Sequence, residues 1–287
     1  MATVWALCKR NLVEFVRNRT RLIFTLVFPF FFLFVFSEIF TQFIPADIPG
    51  LNAEPIVVAL VGMVIATVFE FSLRIASSTI DDMLSGFMRE VLVSPVSRFS
   101  VAMGQFLSSA IIATLQGFVV LLVGVIIGFR VQSIWTVFAV LGAMVFVGFV
   151  FAGFGLFVAT RTKSIQTFQI LSMAIQMPML FLSGAYFPLN SLPSTLRIIT
   201  LLNPLTYAVA FFRAVSLELM GAPTELMLAP GINVALEIGN FVVTPWISAL
   251  FLFGFGALFL FLSTFAFMRT DFSKMSRNAG DDLSGEM

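Results

Sequence analysis

The stretch from Trp135 to Ala159 reads WTVFAVLGAMVFVGFVFAGFGLFVA and contains no charged residue. An α-helix needs about 20 apolar residues to cross the roughly 30 Å hydrocarbon core of a bilayer. This stretch is long enough, and its apolar residues run continuously, whereas a strand of a membrane β-barrel alternates apolar and polar residues. It therefore predicts a transmembrane helix.

The rest of the chain repeats this pattern. Of its 287 residues, 59% are hydrophobic and only 11% are charged, against about 25% charged in typical soluble domains. The sequence predicts an all-α membrane protein with six spans. These are Leu22–Ile44, Pro55–Leu73, Phe106–Phe129, Trp135–Ala159, Ile165–Phe187 and Trp246–Met268. The first apolar run is too long for a cleaved signal peptide, so we expect it to stay as a membrane anchor.

The positive charges indicate how the spans are oriented. Thirteen of the 16 Lys and Arg residues fall before the first span, in the loops after spans two and four, and in the polar tail 269–287. Only Arg130, Arg197 and Arg213 fall on the other side. Because loops rich in Lys and Arg stay in the cytoplasm, the sequence predicts that both termini are cytoplasmic.

Missing residue types exclude several kinds of chemistry. The chain has no His, so it has no His general base and no His metal ligand. Cys8 is the single Cys and is interpreted as a small buried apolar residue. No Gly-x-x-x-x-Gly-Lys-Ser/Thr sequence is present, so the chain lacks this phosphate-binding loop. We therefore expect no catalytic residue and no metal or cofactor on this chain, and any ATPase driving it must be a separate chain.

Two segments on the predicted cytoplasmic side have amphipathic patterns. Residues 1–21 predict a helix that lies on the leaflet, where its basic side chains meet lipid headgroups, or that also touches a cytoplasmic partner. Residues 81–98 predict a short helix opened by Asp81 and Asp82 and stopped by Pro95. It fits a helix that docks in a groove of a soluble partner, and it equally fits a surface loop packed on its own bundle.

The predicted external side carries two short apolar helices within residues 188–219, broken at Asn203 and Pro204. Each of the two helices is too short to cross the membrane, so the sequence predicts a re-entrant pair beside a pathway. A further external excursion occupies residues 220–245. Within span two, Glu70 and Arg74 stand four residues apart, which predicts an intramembrane ion pair or, alternatively, a contribution to a substrate path.

Two motifs in these segments resemble one known family. The sequence FMREVLVSPVSR, from Phe87 to Arg98, resembles the cytoplasmic E-x-L-x-x-P-x-x-R element that follows the second span of ABC type-2 transporter permeases. The sequence FLSGAYFP, from Phe181 to Pro188, followed by LNPLT at 202–206, resembles the element that follows their fifth span. Both motifs fall where the predicted topology requires them.

The resemblance implies a function and partners. Members are membrane subunits of ATP-driven exporters, in which two permease copies or two related chains pair above two ATP-binding cassette subunits, and these subunits bind ATP and Mg²⁺. It also implies that the N-terminal helix is the family's connecting helix and that spans one, two and five line the dimer interface. By resemblance, the ATPase-coupling residues are Met83, Phe87, Glu90, Pro95 and Arg98, and the external gate contains Gly184, Phe187, Pro188, Asn203 and Pro204. The localisation implied is the bacterial inner membrane.

The substrate and two competing classes stay open. Spans rich in Phe, Leu, Val and Met favour a hydrophobic or amphipathic substrate, such as a drug-like compound or a lipid, over a polysaccharide or lipid-linked glycan. A secondary transporter or channel would show inverted repeats and an ionisable site near the midplane, and a membrane scaffold would leave the long segment 81–98 unexplained.

Overall fold

The computed structural model describes residues 2–17, 27, 31, 48, 51, 54–84, 97–127, 129, 133–162, 164–189, 192–238 and 241–269. The long and medium helices are α1 (Ala2–Arg17), α2 (Pro55–Leu84), α3 (Arg98–Ile127), α4 (Ile134–Arg161) and α5 (Ile165–Phe181). After them come α6 (Ser194–Leu202), α7 (Pro204–Ser216), α8 (Thr224–Met227), β1 (Leu236–Ile238), β2 (Phe241–Val243) and α9 (Pro245–Arg269).

Four of these helices, α2, α3, α4 and α9, are long and apolar enough to cross a membrane. The pair α6 and α7 bends by 81° at its break and adds a fifth crossing if the pair counts as one span. The helix α5 is apolar but shorter. The first predicted span, Leu22–Ile44, lies outside the described residues apart from Val27 and Phe31. The described part is a bundle of apolar helices, as expected of a multi-pass membrane protein.

The helix α2 is the centre of the bundle. In its most apolar window, 89% of the residues are buried, against 17% in that of α9. It packs against α3, α4, α5 and α7, whereas α9 packs mainly on α4 and α7, and α1 packs on α3. The side chains that face outward from α9 and α4 are large and apolar, among them Trp246, Phe253 and Trp135, as suits surfaces that meet lipid.

Phenylalanine rings hold α4 and α9 together. The ring of Phe154 lies 5.0 Å edge-on from that of Phe259, and the Phe157 and Phe259 centroids are 5.4 Å apart. Phe255 lies between Phe151 and Phe154, at 6.2 and 5.9 Å. Such pairs contribute about 0.5–1.5 kcal/mol each beyond the burial of their area. Part of the chain's excess of Phe therefore stabilises contacts between helices.

The boundaries near the segment 81–98 differ from the prediction. The second span was expected to end at Leu73, but α2 continues to Leu84, so Asp81 and Asp82 lie in its last turn and do not open a separate helix. Likewise, α3 begins at Arg98, where Ser97 accepts a hydrogen bond from the backbone N–H of Ser100 at 3.1 Å. Residues 85–96 lie outside the described residues.

The fifth predicted span is also shorter than expected. The helix α5 ends at Phe181 and not at Phe187, and residues 182–187 form turns. Gly184 has a φ of +81°, a conformation that L side chains rarely adopt. The helix therefore ends where a glycine allows the chain to reverse.

The described structure is mostly helical, as predicted, and the segment 220–245 adds two short strands that an all-α fold does not include. The strands β1 and β2 form an antiparallel hairpin, in which Leu236 pairs with Val243 and Ile238 with Phe241. A separate apolar cluster supports this region. Its buried members are Ala214, Leu219, Met227, Ile232, Val234 and Ala235.

Candidate functional site

The elbow between α6 and α7 is attached to the end of α5. Asn203 caps α7, since its Oδ1 accepts from the backbone N–H of Leu205 at 3.0 Å. Its Nδ2 donates to the carbonyl oxygen of Met179 in α5 at 2.7 Å. The hydroxyl of Thr206 donates to the carbonyl of Leu182 at 3.3 Å. One side chain thus both starts α7 and fixes it to α5.

The buried side chain of Arg213 joins three parts of the same end. Its Nη2 donates to the carbonyl of Gly184 at 2.9 Å, and its Nη1 donates to the carbonyl of Ile232 at 3.2 Å. A Cβ on Gly62 of α2 would lie only 2.7 Å from Nη2. Arg213 is completely buried, so carbonyl dipoles take the place of water around its guanidinium group.

This contact shows how far the turn after α5 and the side chain of Arg213 reach along α2. Gly62 is seven residues from Pro55, where α2 begins, which is about 10 Å along a helix. A Cβ on Gly62 would also lie 2.8 Å from the carbonyl oxygen of Ala185. The turn after α5 and the side chain of Arg213 therefore contact α2 about two helical turns past its beginning at Pro55.

The predicted gate residues lie in this region. Gly184 and Asn203 are linked to α7 and α5 as described, and Pro204 is the first residue of α7. Phe187 stacks on Phe181, with the ring centroids 5.8 Å apart, and Pro188 is buried. The structure therefore places Asn203 at the contact of α7 with α5 and Gly184 in contact with Arg213 of α7, and the role of the five residues as a gate stays a prediction.

Glu70 and Arg74, which were predicted to form an ion pair, each contact other residues in the structure. The hydroxyl of Tyr186 donates to Glu70 Oε1 at 3.4 Å, and Gln176 of α5 donates to the backbone carbonyl of Glu70 at 3.4 Å. The guanidinium of Arg74 lies 5.2 Å from the centroid of the Phe71 ring. Glu70 thus contributes to the contact between α2 and α5, and the ion pair with Arg74 stays a prediction.

The predicted coupling residues fall mostly outside the described residues. This holds for Phe87, Glu90 and Pro95, whereas Met83 lies in the last turn of α2 and Arg98 is the first residue of α3. The segment is therefore framed by the ends of two helices of 30 residues each. Their role in coupling stays a prediction.

A polar cluster beside this segment was missed at the sequence level. We call it the junction network: Arg10, Asn11, Asp82, Gln105 and Ser108. It connects α1 to the end of α2 and the beginning of α3 by side-chain hydrogen bonds and the ion pair of Arg10 with Asp82. A signal was present, because Asn11 interrupts an otherwise apolar stripe of α1.

The helix α1 has a packing face and an outward apolar face. Leu7, Cys8 and Phe15 are buried, and burial raises the pKa of the Cys8 thiol. Trp5 and Val16 are exposed, at 67% and 56%. The expectation that Cys8 is a buried apolar residue is confirmed, and the exposed face fits an interfacial helix.

The acidic residues do not gather into a cluster suited to a metal. Among the described residues, no group of three or more His, Cys, Asp or Glu side chains lies close enough to hold a metal ion. The two ends of the bundle, with the elbow at one and the junction network at the other, are instead built from contacts between helices.

Comparison with known proteins identifies the family. The family model for ABC-2 type transporters matches residues 2–217, which include both motif regions. The chain belongs to the ABC-2 type transporter family. The resemblance stated from the sequence is confirmed.

Curated relatives agree with this assignment. The chain is 32% identical to the transport permease ycf38 of Cyanophora paradoxa over 158 residues, 52% of this chain and 51% of the relative. It is 28% identical to the multidrug ABC transporter permease YbhR of Escherichia coli K12, over 42% of this chain and 33% of the relative. Nodulation protein J of Rhizobium meliloti is 27% identical over 52% of each chain. The matches thus span about half the length of these relatives, or less.

Proposed function

We propose that this ABC-2 permease is the membrane-spanning subunit of an ATP-binding cassette exporter, driven by ATP hydrolysis on a separate nucleotide-binding subunit. The family match over residues 2–217 carries the proposal. The permease itself is not an enzyme in this scheme, and ATP and Mg²⁺ bind to the partner subunit.

In the proposed topology the chain crosses the membrane six times, with both termini in the cytoplasm. The helices α2, α3, α4 and α9 supply four crossings, and residues 22–44 supply the first. The fifth is α5, which at 17 residues is about 25 Å long. It falls short of a roughly 30 Å core, and the turn and elbow complete the crossing. The membrane is the bacterial inner membrane.

The elbow is the proposed external re-entrant gate. Its support is the 81° bend between two short helices and the position of the Arg213 side chain and Ala185 beside Gly62, about 10 Å along α2 from its beginning at Pro55. Backbone that leaves helical geometry at this depth needs protein cover, and the buried bonds of Asn203 and Arg213 supply it.

The segment 81–98 is the proposed ATPase-coupling element. The helices α2 and α3 contain 30 residues each, which is about 45 Å of helix. Both are longer than the roughly 30 Å hydrocarbon core. Rigid helices that continue past the membrane can carry the movement of an attached ATPase into the bundle.

Two ATPase subunits and a second permease, either a copy of this chain or a related one, complete the proposed assembly. An exposed face of α5 supports the pairing. It combines apolar and polar side chains, including Gln166, Gln169, Ile170, Met173 and Met177. The neighbouring α6 exposes Ile198 and Leu202, the latter at 79%.

The proposed substrate is hydrophobic or amphipathic, such as a drug-like compound or a lipid. The apolar composition of the described helices supports it, as does the name of the multidrug permease relative. A polysaccharide or lipid-linked glycan is the alternative. The exposed amides of Gln166 and Gln169 favour it, because hydroxyl groups need hydrogen-bonding partners.

Co-purification tests the ATPase partner. We expect an ATP-binding cassette subunit expressed with the chain to remain bound in mild detergent and to hydrolyse ATP. Glu90→Ala and Arg98→Ala should weaken this binding or the transport it drives, whereas Glu225→Ala at the opposite end should not. Absence of any bound ATPase, together with unchanged transport in both coupling variants, would contradict the proposal.

A further inference from the structure

We propose that the junction network joins α1, α2 and α3 into one rigid unit, through which movement of the segment 81–98 reaches α1 and the span that follows it. This inference rests on the proposed function, because it describes how motion delivered by the ATPase spreads through the permease.

Asn11 is the centre of the network. Its Nδ2 donates to Gln105 Oε1 at 2.9 Å and to Ser108 Oγ at 2.8 Å, which uses both amide hydrogens. Its Oδ1 accepts from Arg10 Nε at 3.1 Å and from Arg10 Nη2 at 2.9 Å. An Asn amide has two donors and two acceptor sites, so every one of them is used.

Asp82 ties the same residues to the end of α2. Its Oδ2 accepts from Arg10 Nη2 at 2.5 Å and from Gln105 Nε2 at 2.7 Å. Gln105 therefore contacts α1 with its oxygen and α2 with its nitrogen. Because the amide orientation of Gln105 satisfies both partners at once, a shift of any one of the three helices disturbs the bonds to the other two.

Burial makes these bonds costly to break. Asn11 is 5% exposed, Gln105 1% and Ser108 0%. Separating the helices would leave buried donors and acceptors without partners, which is energetically unfavourable. A fully satisfied buried network also specifies a single arrangement.

The position of the network explains what it transmits. Asp82 lies three residues from the beginning of the segment 85–96, and Gln105 lies nine residues after that segment ends. Movement of the segment therefore reaches the network from both sides. On its other side is α1, which leads into residues 22–44, the predicted first span.

Close packing supports the rigid unit. A Cβ on Gly104 of α3 would lie 3.0 Å from Leu7 Cδ1 and 3.1 Å from Leu7 Cβ. The backbone of α3 thus approaches α1 closely, one residue before Gln105. The polar and apolar contacts fix the two helices at the same level.

Fluorescence in the ATPase-containing complex tests the inference without a known substrate. In a Cys8→Ala background, an environment-sensitive fluorophore on Glu14→Cys reports on α1, and one on Phe99→Cys reports on the beginning of α3. Both positions are exposed. Trapping the ATPase with ATP and vanadate should change the emission at both positions.

The decisive variant combines Asn11→Leu and Gln105→Met with Arg10→Met and Asp82→Leu, because the ion pair of Arg10 with Asp82 would otherwise still join α1 to α2. Removing both partners of each contact avoids leaving one buried amide alone, so the chain should still fold. We expect the response at position 14 to be lost and that at position 99 to remain. Ser109→Ala is the matched control, because the Ser109 hydroxyl donates only within α3, to the carbonyl of Gln105 at 2.9 Å, and it should leave both responses intact.

Two outcomes would overturn the inference. One is that position 14 responds equally in the combined variant, because α1 then moves without the network. The other is that position 14 never responds in the unmodified complex while position 99 does, because α1 then stays still. Failure of the ATPase to bind at all would instead overturn the proposed function, so the two failures are distinguishable.

Discussion

Arg213 is the largest side chain that is fully buried in the described part of the chain. Its two terminal nitrogens donate to backbone carbonyls from two different turns, while its Nε has no hydrogen-bond partner among the described residues. The planar guanidinium group of Arg donates to two separate acceptors from its two terminal nitrogens. Lys has a single terminal nitrogen, so it cannot reach both acceptors with this geometry. Arg213 therefore connects α7 to the turns at 184 and 232.

We predict that Arg213→Lys destabilises the protein by about 2 kcal/mol, because one of two charge-assisted hydrogen bonds is lost. Thermal unfolding in detergent should show a lower midpoint. Arg17→Lys, at the exposed end of α1, is the control and should leave the midpoint unchanged. Equal midpoints for both variants would contradict the role of Arg213.

Gly62 provides a second prediction at this scale. A Cβ there would lie 2.7 Å from Arg213 Nη2 and 2.8 Å from the carbonyl of Ala185, so Gly62→Ala should cost about 1–3 kcal/mol through overpacking. Gly142 is also in a helix, and a Cβ there would meet nothing within 4 Å. Gly142→Ala should therefore stabilise the protein by up to about 1 kcal/mol. If the two variants change the free energy of unfolding in opposite directions, the close approach of Gly62 to Arg213 and Ala185 is confirmed. Similar changes in both variants would contradict it.

At the scale of elements, the sequence predicts the apolar cores of the helices well and their ends poorly. The expected start of the second span at Pro55 is correct, since an apolar run after Pro marks it. The same helix was expected to end at Leu73, because the prediction followed hydropathy alone. The helix continues to Leu84, and Asp82 in its last turn bonds to Arg10 and Gln105. These partners lie 72 and 23 residues away in the chain, so the local sequence does not indicate the contacts.

The β-hairpin of β1 and β2 is predictable from the local sequence. Two short runs, Leu236–Ile238 and Phe241–Val243, are separated by Gly239 and Asn240. The first run alternates apolar and polar residues, the second is apolar with aromatic and β-branched residues, and two such runs with a Gly-Asn pair between them predict a β-hairpin. By contrast, nothing in the local sequence indicates that Arg213 meets Gly184 and Ile232, because these contacts depend on the packing of α7.

The docking of α1 leads to a prediction about Cys8. Burial against α3 leaves it 2% exposed and raises the pKa of its thiol, so the reactive thiolate is scarce at neutral pH. Maleimide should label Cys8 slowly in the folded protein, and faster as the pH rises toward the raised pKa. Glu14→Cys in a Cys8→Ala background is the exposed control and should label rapidly. Equal rates would show that α1 is not docked.

At the scale of the whole molecule, the elbow lies at one end of the helix bundle and the junction network lies at the other. The Phe rings at the contact of α4 with α9 lie between these two ends. Part of the Phe content of the chain therefore stabilises the packing of helices. The exposed aromatic and aliphatic side chains of α9 face outward, toward lipid in the proposed topology.

The proposed orientation is testable with two exposed positions. Glu14 lies in α1 and Glu225 in the external excursion, and both are exposed. In the Cys8→Ala background, a membrane-impermeant maleimide added to intact cells should label Glu225→Cys and not Glu14→Cys. Inverted membrane vesicles should give the reverse. Labelling of both from one side would refute cytoplasmic termini.

The central claim is that ATP hydrolysis on a separate subunit drives transport through this permease. The most direct measurement co-reconstitutes the chain with its ATP-binding cassette subunit in liposomes without an ion gradient. It then follows movement of a hydrophobic dye, a fluorescent lipid and a lipid-linked oligosaccharide. We predict ATP-dependent movement of the dye or the lipid, lost when the ATPase is omitted. Transport by the chain alone, driven by a proton or sodium gradient and indifferent to ATP, would contradict the account.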